Sequence, residues 1–377
     1  MTVTLAEIAQ VANVSVSTVS RALSDKHYPL KEENRQRIRK LAEEMGYQPN
    51  LVARSLQSNR SHLVGVIVDR MQSPFAAPTV QGIQDGLRNA GYSISIVYSN
   101  RDQSLAIEAI NTFYSHQVDG IVILNSWLHT YNDPILALQD RPFVFINRIF
   151  GKCAQNCVGP GDRYGAQLAT QHLVDLGHRR IGYINGMDDW QEAQDRLSGF
   201  RDVFLQNGLP IDESLIRQGD WGVDSGYQAA QELLSLREVP TAIFAASDVM
   251  ALGVIYAAQE AGVKIPGDIA LVGYDDRDFA AWIRPALTTI RMPSYEMGRA
   301  AARLLLEQLS GEELEDATQV PGQLIIRESC GAKLRNDPDH QQEVMQVVFS
   351  TEEKHSEGGG EVRKKRRKFV KNTISFN

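Results

Sequence analysis

No apolar run in this 377-residue chain is long enough to cross a bilayer. The amino terminus, MTVTLAEIAQ, has no basic start, apolar stretch or small-residue cleavage site, so a cytoplasmic protein with no membrane partner is expected. Cysteine is scarce: Cys153, Cys157 and Cys330 are an odd set with no matching His or Cys pair, which excludes a disulfide framework and leaves no zinc spacing. The histidines His27, His62, His116, His129, His172 and His178 lie in separate segments without helical metal spacing. There is no Gly-x-Ser-x-Gly elbow, and no Gly-rich phosphate loop opens a helix. Asp275-Asp276 is a paired carboxylate at a strand end, but neighbours on an extended strand point apart, so it is a poor acid–base couple. Neither an enzyme nor a cofactor is expected. The net charge of −7 argues against general affinity for nucleic acid.

That charge is unevenly spread. Up to Arg60 there are nine Lys and Arg against six Asp and Glu, so the amino-terminal portion alone is basic. Within it, Leu5 to Leu23 reads as two short helices. Thr4 and Glu7 form a capping box, and Leu5, Ile8, Ala9 and Ala12 share one face. Asn13-Val14 interrupts, Ser15 can cap a second helix, and Val19, Ala22 and Leu23 turn inward while Val16, Ser17, Ser20 and Arg21 stay outside. Two helices joined this tightly are a helix-turn-helix, and a third, from Glu32 to Met45, closes the small core with Ile38, Leu41, Ala42 and Met45. Gly46 ends it. The following Asn50 to Leu56 segment is too short to be a stable helix by itself.

VANVSVSTVSRAL followed by EEMGYQPNLVARSL resembles the DNA-binding head and hinge of LacI/GalR-type transcriptional regulators, and the likeness extends over roughly residues 2–335. The resemblance implies that the second helix enters the major groove of a pseudo-palindromic double-stranded operator, with Val16, Ser17, Thr18, Ser20 and Arg21 at the DNA. Arg21 would fork onto guanine O6 and N7, Ser17 would meet a base edge or phosphate, and Val16 a thymine methyl. In the hinge, Asn50, Ala53 and Leu56 would also reach DNA, Leu56 as a minor-groove wedge and Val52 and Ala53 at the contact with a dimer mate. A plain interdomain linker with Leu56 in a local core is the alternative. Such regulators usually carry Ser or Thr where Lys31 stands, so the third helix is expected to lack its side-chain cap, a loss of roughly 1 kcal/mol.

From Leu63 the pattern becomes short apolar runs, LVGVIV, YSISIVYS, GIVIL, PFVFIN, RIGYING, TAIFAAS and IALVGYD. They alternate with helical stretches such as Val80 to Ala90, Tyr164 to Leu176 and Val249 to Ala261, which spells parallel sheets flanked by helices. The expected fold class is therefore an all-α helix-turn-helix head plus an α/β body of two doubly wound parallel-sheet lobes, similar to periplasmic sugar-binding proteins. The divisions are 1–48 head, 49–60 hinge, and 61–335 body. Lobe one takes about 61–160 and 291–320, and lobe two about 161–290 and 321–335. LTTIRMP, Ser294 to Leu309 and QLIIRES are read as returning segments between the lobes, and 336–377, with its Gly-Gly-Gly and the basic run Arg363 to Lys368, as a disordered tail without leucine heptads, which favours a homodimer.

Strand ends and family motifs together nominate an effector cleft of Asp69, Phe75, Asn147, Arg148, Asp162, Arg196, Trp221, Ser247, Asp248 and Asp275. Carboxylates and amides toward hydroxyls, with aromatic rings on C–H faces, suit a sugar or sugar derivative; Arg196 alone would equally serve a hydroxyl, carboxylate or phosphate. Asn147 and Ser247 depart from the Asp and Asn frequent in the family. The function expected is a transcriptional repressor controlled by a small-molecule effector. A solute-binding protein without gene control and a nucleoid-type DNA-bending protein are the rivals.

Overall fold

The computed structural model describes residues 3–23, 29–47, 60–124, 138, 141–147, 155–312 and 318–332. The hinge residues Asn50, Ala53 and Leu56, the cleft candidate Arg148 and the tail lie outside the described residues.

The head is three helices, α1 (Leu5–Ala12), α2 (Val16–Leu23) and α3 (Glu32–Glu44). The capping box forms as the spacing predicts, with the Thr4 amide donating to Glu7 Oε2 at 2.7 Å and the Glu7 amide to Thr4 Oγ1 at 3.3 Å. Asn13 adopts a left-handed φ of 51°, which ends α1 and turns the chain into α2, where the Thr18 amide donates to Ser15 Oγ at 3.2 Å. Ile8, Ala9, Ala12, Val19, Ala22, Ile38 and Ala42 make the core, with Leu41 and Met45 packed at its edge. Lys31 supplies no side-chain cap to α3. Two arginines do work that their charge does not reveal: Arg37 Nη2 donates to the Ala12 carbonyl at 3.0 Å and Arg39 Nε to the Ala22 carbonyl at 3.1 Å. They satisfy acceptors that the ends of α1 and α2 leave open.

In the body, β1 (Leu63–Val68), β2 (Ser93–Tyr98), β3 (Gly120–Leu124), β4 (Phe143–Ile146), β5 (Cys157–Pro160) and β11 (Thr318–Val320) form a parallel sheet in the order β11-β5-β4-β3-β1-β2. A second parallel sheet has the order β7-β6-β8-β9, from β6 (Ile181–Asn185), β7 (Ile216–Gln218), β8 (Ala242–Ala245) and β9 (Ala270–Val272). Both orders reverse direction beside their first strand, the doubly wound pattern, and so open crevices at the carboxyl ends. The helices are α4 (Ala76–Arg88), α5 (Gln103–Ser115), α6 (Asp162–Asp175), α7 (Gln191–Gln206), α8 (Val223–Leu234), α9 (Asp248–Glu260) and α10 (Ser294–Ser310). β10 (Thr289–Arg291) and β12 (Gln323–Ile325) pair as a separate antiparallel ribbon, with isolated bridges from Thr288 to Val272 and from Arg291 to Asp275. α10 lies against α4 at close range: a Cβ on Gly298 would fall 2.1 Å from the Thr79 carbonyl oxygen.

Three expectations are corrected. α4 begins at Ala76 rather than Val80, because Pro78 falls in the first turn, where its missing N–H has no helical partner to lose. α9 likewise begins at its acidic residue, Asp248 rather than Val249, as α6 begins at Asp162, the start expected for the second-lobe helix; a carboxylate favours the helix amino terminus. Asp275 and Asp276 are not on an extended strand; their φ values are 118° and 57°. They still diverge, but through this backbone turn and not through strand alternation.

Candidate functional site

On the head, Val16, Ser17 and Arg21 are exposed along α2, while Thr18 and Ser20 are half-buried. Ser15 Oγ lies 2.8 Å from both Ser17 Oγ and Thr18 Oγ1, so those hydroxyls already share a partner within the turn. What faces outward is an apolar methyl surface, a small hydroxyl and a guanidinium, the set that can read a thymine methyl and a guanine edge.

The second site gathers at the carboxyl ends of the second sheet. Arg196, on α7, is only 5% exposed. Its Nε donates to Asp162 Oδ1 at 2.7 Å, its Nη1 donates to the Ala246 carbonyl at 2.6 Å, and Asp275 Oδ1 lies 3.6 Å away. The guanidinium also lies over two aromatic rings, 3.7 Å from the Tyr274 ring centroid and 5.5 Å from that of Trp221. Burial works against its charge, and the carboxylates of Asp162 and Asp275 outweigh that and hold it protonated. A surface position for Arg196 is excluded, and its positive charge is already matched within the protein.

Ser247 caps α9, its Oγ accepting the Met250 amide at 3.2 Å. Asp248 is buried, accepting Thr289 Oγ1 at 2.6 Å and the Arg277 amide at 2.8 Å. Its role in this geometry is to tie α9 to the segment after β9. Burial raises its carboxyl well above the usual range, and the neighbouring Asp275 adds to that. Burial likewise pushes Asp275 up to about 7, against the pull of Arg196 and Arg277. Asp276 turns away to Arg291 Nε at 2.7 Å and Arg327 Nη2 at 2.6 Å.

Asp162, Arg196, Trp221 and Asp275 thus converge, while Ser247 and Asp248 bind Met250, Thr289 and Arg277 instead. Across from them, Asp69 follows β1 and lies 3.5 Å from Arg101 Nε. Asn147 follows β4 with a φ of 78°, and its amide donates to the Val158 carbonyl at 2.9 Å. Phe75 sits half-buried at the start of α4, and its ring makes none of the aromatic contacts that draw the others together. Three contributors escaped the sequence reading. Tyr274 stacks on Arg196, Trp190 packs against Trp221 with ring centroids 6.0 Å apart, and Arg101 lies over Trp190 at 5.3 Å. Each stands just beyond the carboxyl end of a strand, the position that singled out Asp69 and Asp275.

A helix-turn-helix head with a readable outer face, on a two-sheet body whose strand ends gather polar and aromatic side chains, defines a DNA-binding regulatory protein. Residues 4–50 match the model for bacterial regulatory proteins of the lacI family, and residues 170–330 that for a periplasmic binding protein-like domain. Catabolite control protein A of Priestia megaterium is 32% identical over 331 residues, which cover 87% of this chain and 99% of that one. The HTH-type transcriptional repressor CytR of Escherichia coli K12 is 34% identical, over 87% of this chain and 96% of its own. The lac repressor dimer bound to operator and the anti-inducer ONPF superposes with a TM-score of 0.74 at 27% identity, over 88% of this chain and 99% of that chain. A complex of the transcriptional regulator CelR with cellobiose gives 0.64 at 32% identity, over 87% and 99%. The chain belongs to the lacI family of bacterial regulatory proteins and is a DNA-binding transcriptional regulator. Its relatives are regulators, not enzymes, and no helix of the described residues is long and apolar enough to cross a membrane.

Proposed function

We propose that this protein is a cytoplasmic homodimeric repressor that binds a pseudo-palindromic operator and is controlled by a sugar or sugar derivative, with no chemistry performed on the ligand. The supporting observation is the convergence of Asp162, Arg196, Trp221 and Asp275 at the carboxyl ends of the second sheet, facing Asp69 across the body. Within the reading, 1–48 is the head, 49–60 the hinge and 61–335 the body. Val16, Ser17, Thr18, Ser20 and Arg21 read the major groove, and Asn50, Ala53 and Leu56 act at the operator centre. The relatives support it in kind: one solved regulator holds cellobiose, and another is a dimer on its operator. Ligand binding redistributes the lobes and thereby the hinge, a coupling between two sites.

Selection of duplexes from a random library tests the DNA half. A recovered inverted repeat bound roughly a thousandfold tighter than bulk DNA is expected, and equal affinity for both refutes the reading in favour of a nucleoid-type protein. Titration of sugars into the full chain on that duplex tests the other half, with a change in operator affinity as the expected result.

A further inference from the structure

A short turn after β2 carries Arg101 into the cleft. The Asp102 amide donates to the Ser99 carbonyl at 2.8 Å, and the two residues between, Asn100 and Arg101, have φ values of 52° and 61°. Two successive left-handed residues make a tight primed turn, a conformation an arginine seldom adopts. Asp102 then caps α5, accepting the Ser104 amide at 2.8 Å, which anchors the turn from behind. Arg101 thereby reaches Asp69 with Nε at 3.5 Å and lays its guanidinium 5.3 Å from the ring centroid of Trp190. Asp69 and Arg101 belong to the first sheet's end and Trp190 to the second's, so this contact spans the two halves of the body. Trp190 in turn meets Trp221 at an interplanar angle of 52°, which continues the aromatic wall to Arg196.

We infer that Arg101 is a built-in occupant of the effector site, lying where a ligand ring stacks on Trp190, and that a neutral polyhydroxylated ring displaces it. This rests on the effector cleft proposed above. Whatever replaces a guanidinium between a carboxylate and an indole face must offer hydrogen-bond donors to the first and C–H bonds to the second. A pyranose or furanose does both. A phosphorylated or carboxylated ring does not, because departure of Arg101 leaves Asp69 without its counter-charge and the charge of Arg196 is already matched by Asp162 at 2.7 Å. Trp190 is then a stacking platform for ligand, and Arg101 sets the affinity by competing for it.

The experiment uses the full chain as wild type, Arg101→Gln and Trp190→Ala, each first checked for native thermal unfolding. Calorimetric titration covers a panel of neutral mono- and disaccharides beside their 6-phosphates and uronates. The expected result is that a neutral sugar binds, that Arg101→Gln binds it about fivefold tighter because the competing cation–π contact is gone, and that Trp190→Ala binds it about tenfold weaker. Weaker binding by Arg101→Gln makes Arg101 a ligand contact and overturns the inference, as does preference for a phosphorylated or carboxylated sugar, or no response to any neutral sugar. Without ligand, faster amide hydrogen exchange of 187–191 in Arg101→Gln is expected, and unchanged exchange also counts against it. Should operator affinity respond to a non-sugar metabolite, the regulator reading stands while the displacement by a sugar ring fails.

Discussion

The Asp162 carboxylate accepts Arg196 Nε at 2.7 Å where α6 and α7 meet, with both side chains no more than 5% exposed. Gly199, one turn along α7 from Arg196, lets the helices close until a Cβ there would fall 2.2 Å from the Arg163 carbonyl oxygen. The pair therefore sits in a wall that cannot easily relax. Removing one partner strands the other, so Arg196→Leu or Asp162→Asn alone is expected to cost about 3–5 kcal/mol. The double variant should cost clearly less than the two singles added. Urea denaturation of the four proteins measures this, and additive losses would show that the ion pair is not a unit.

The buried carboxylates give the body an unusual pH response. The Asp275 carboxyl, pushed up to about 7 by burial, holds its proton in the folded chain over a range where the unfolded chain has released it. Its stabilising contribution is fully present below the ordinary carboxylate range and is lost as pH rises through about 7. Asp162 and Asp248, raised by burial in the same direction, add to this trend. Asp275→Asn should remove its part, so that the variant gains on wild type from pH 4 toward 7 and keeps that margin above. Denaturation midpoints of the two proteins from pH 5 to 8, without ligand, decide it; a constant difference would mean that Asp275 titrates normally.

Lys31 offers a test in the opposite sense, a gain of stability. It occupies the cap of α3 with no side-chain bond, and the first turn behind it is acidic, Glu32 and Glu33. Lys31→Ser supplies an oxygen for the open amides and should stabilise the helix by about 1 kcal/mol. Hydrogen exchange of the α3 amides in the full chain should slow by about fivefold. No slowing would mean that the backbone at position 31 holds the serine oxygen away from the helix end.

Much of this architecture could be read from residue order, because the relevant signals are local. The capping box of Thr4 and Glu7, the apolar runs of β1, β3, β4, β6 and β8, and the inward face of α2 all depend on spacing alone. β5, β7 and β11 did not show themselves, since CVGP, IRQ and TQV are too short to carry a period. The cleft divides on the same line. Asp162, Arg196 and Asp275 stand at motif positions, whereas Arg101 and Trp190 acquire meaning only when the fold brings the ends of two different sheets together. Asp248 lay between these cases. Its position was legible, but its partners Thr289 and the Arg277 amide come from a distant segment, and only they show that its carboxylate ties elements together.

Arg21 and Arg37 are both basic residues of the head, and the structure separates what they do. Arg37 is bound to the Ala12 carbonyl at the end of α1, so Arg37→Ala should destabilise the head and weaken binding to every duplex alike. Arg21 is exposed on the outer face of α2, and the proposed reading sets it at a guanine edge. Arg21→Ala should leave thermal unfolding within about 0.5 kcal/mol of wild type. It should weaken the selected operator by about 1–3 kcal/mol while hardly changing affinity for bulk DNA. Competition binding against single-base operator variants checks the assignment: discrimination should relax at one base pair in each half-site. A uniform loss across all duplexes, with a shallower salt dependence, would instead make Arg21 a phosphate contact.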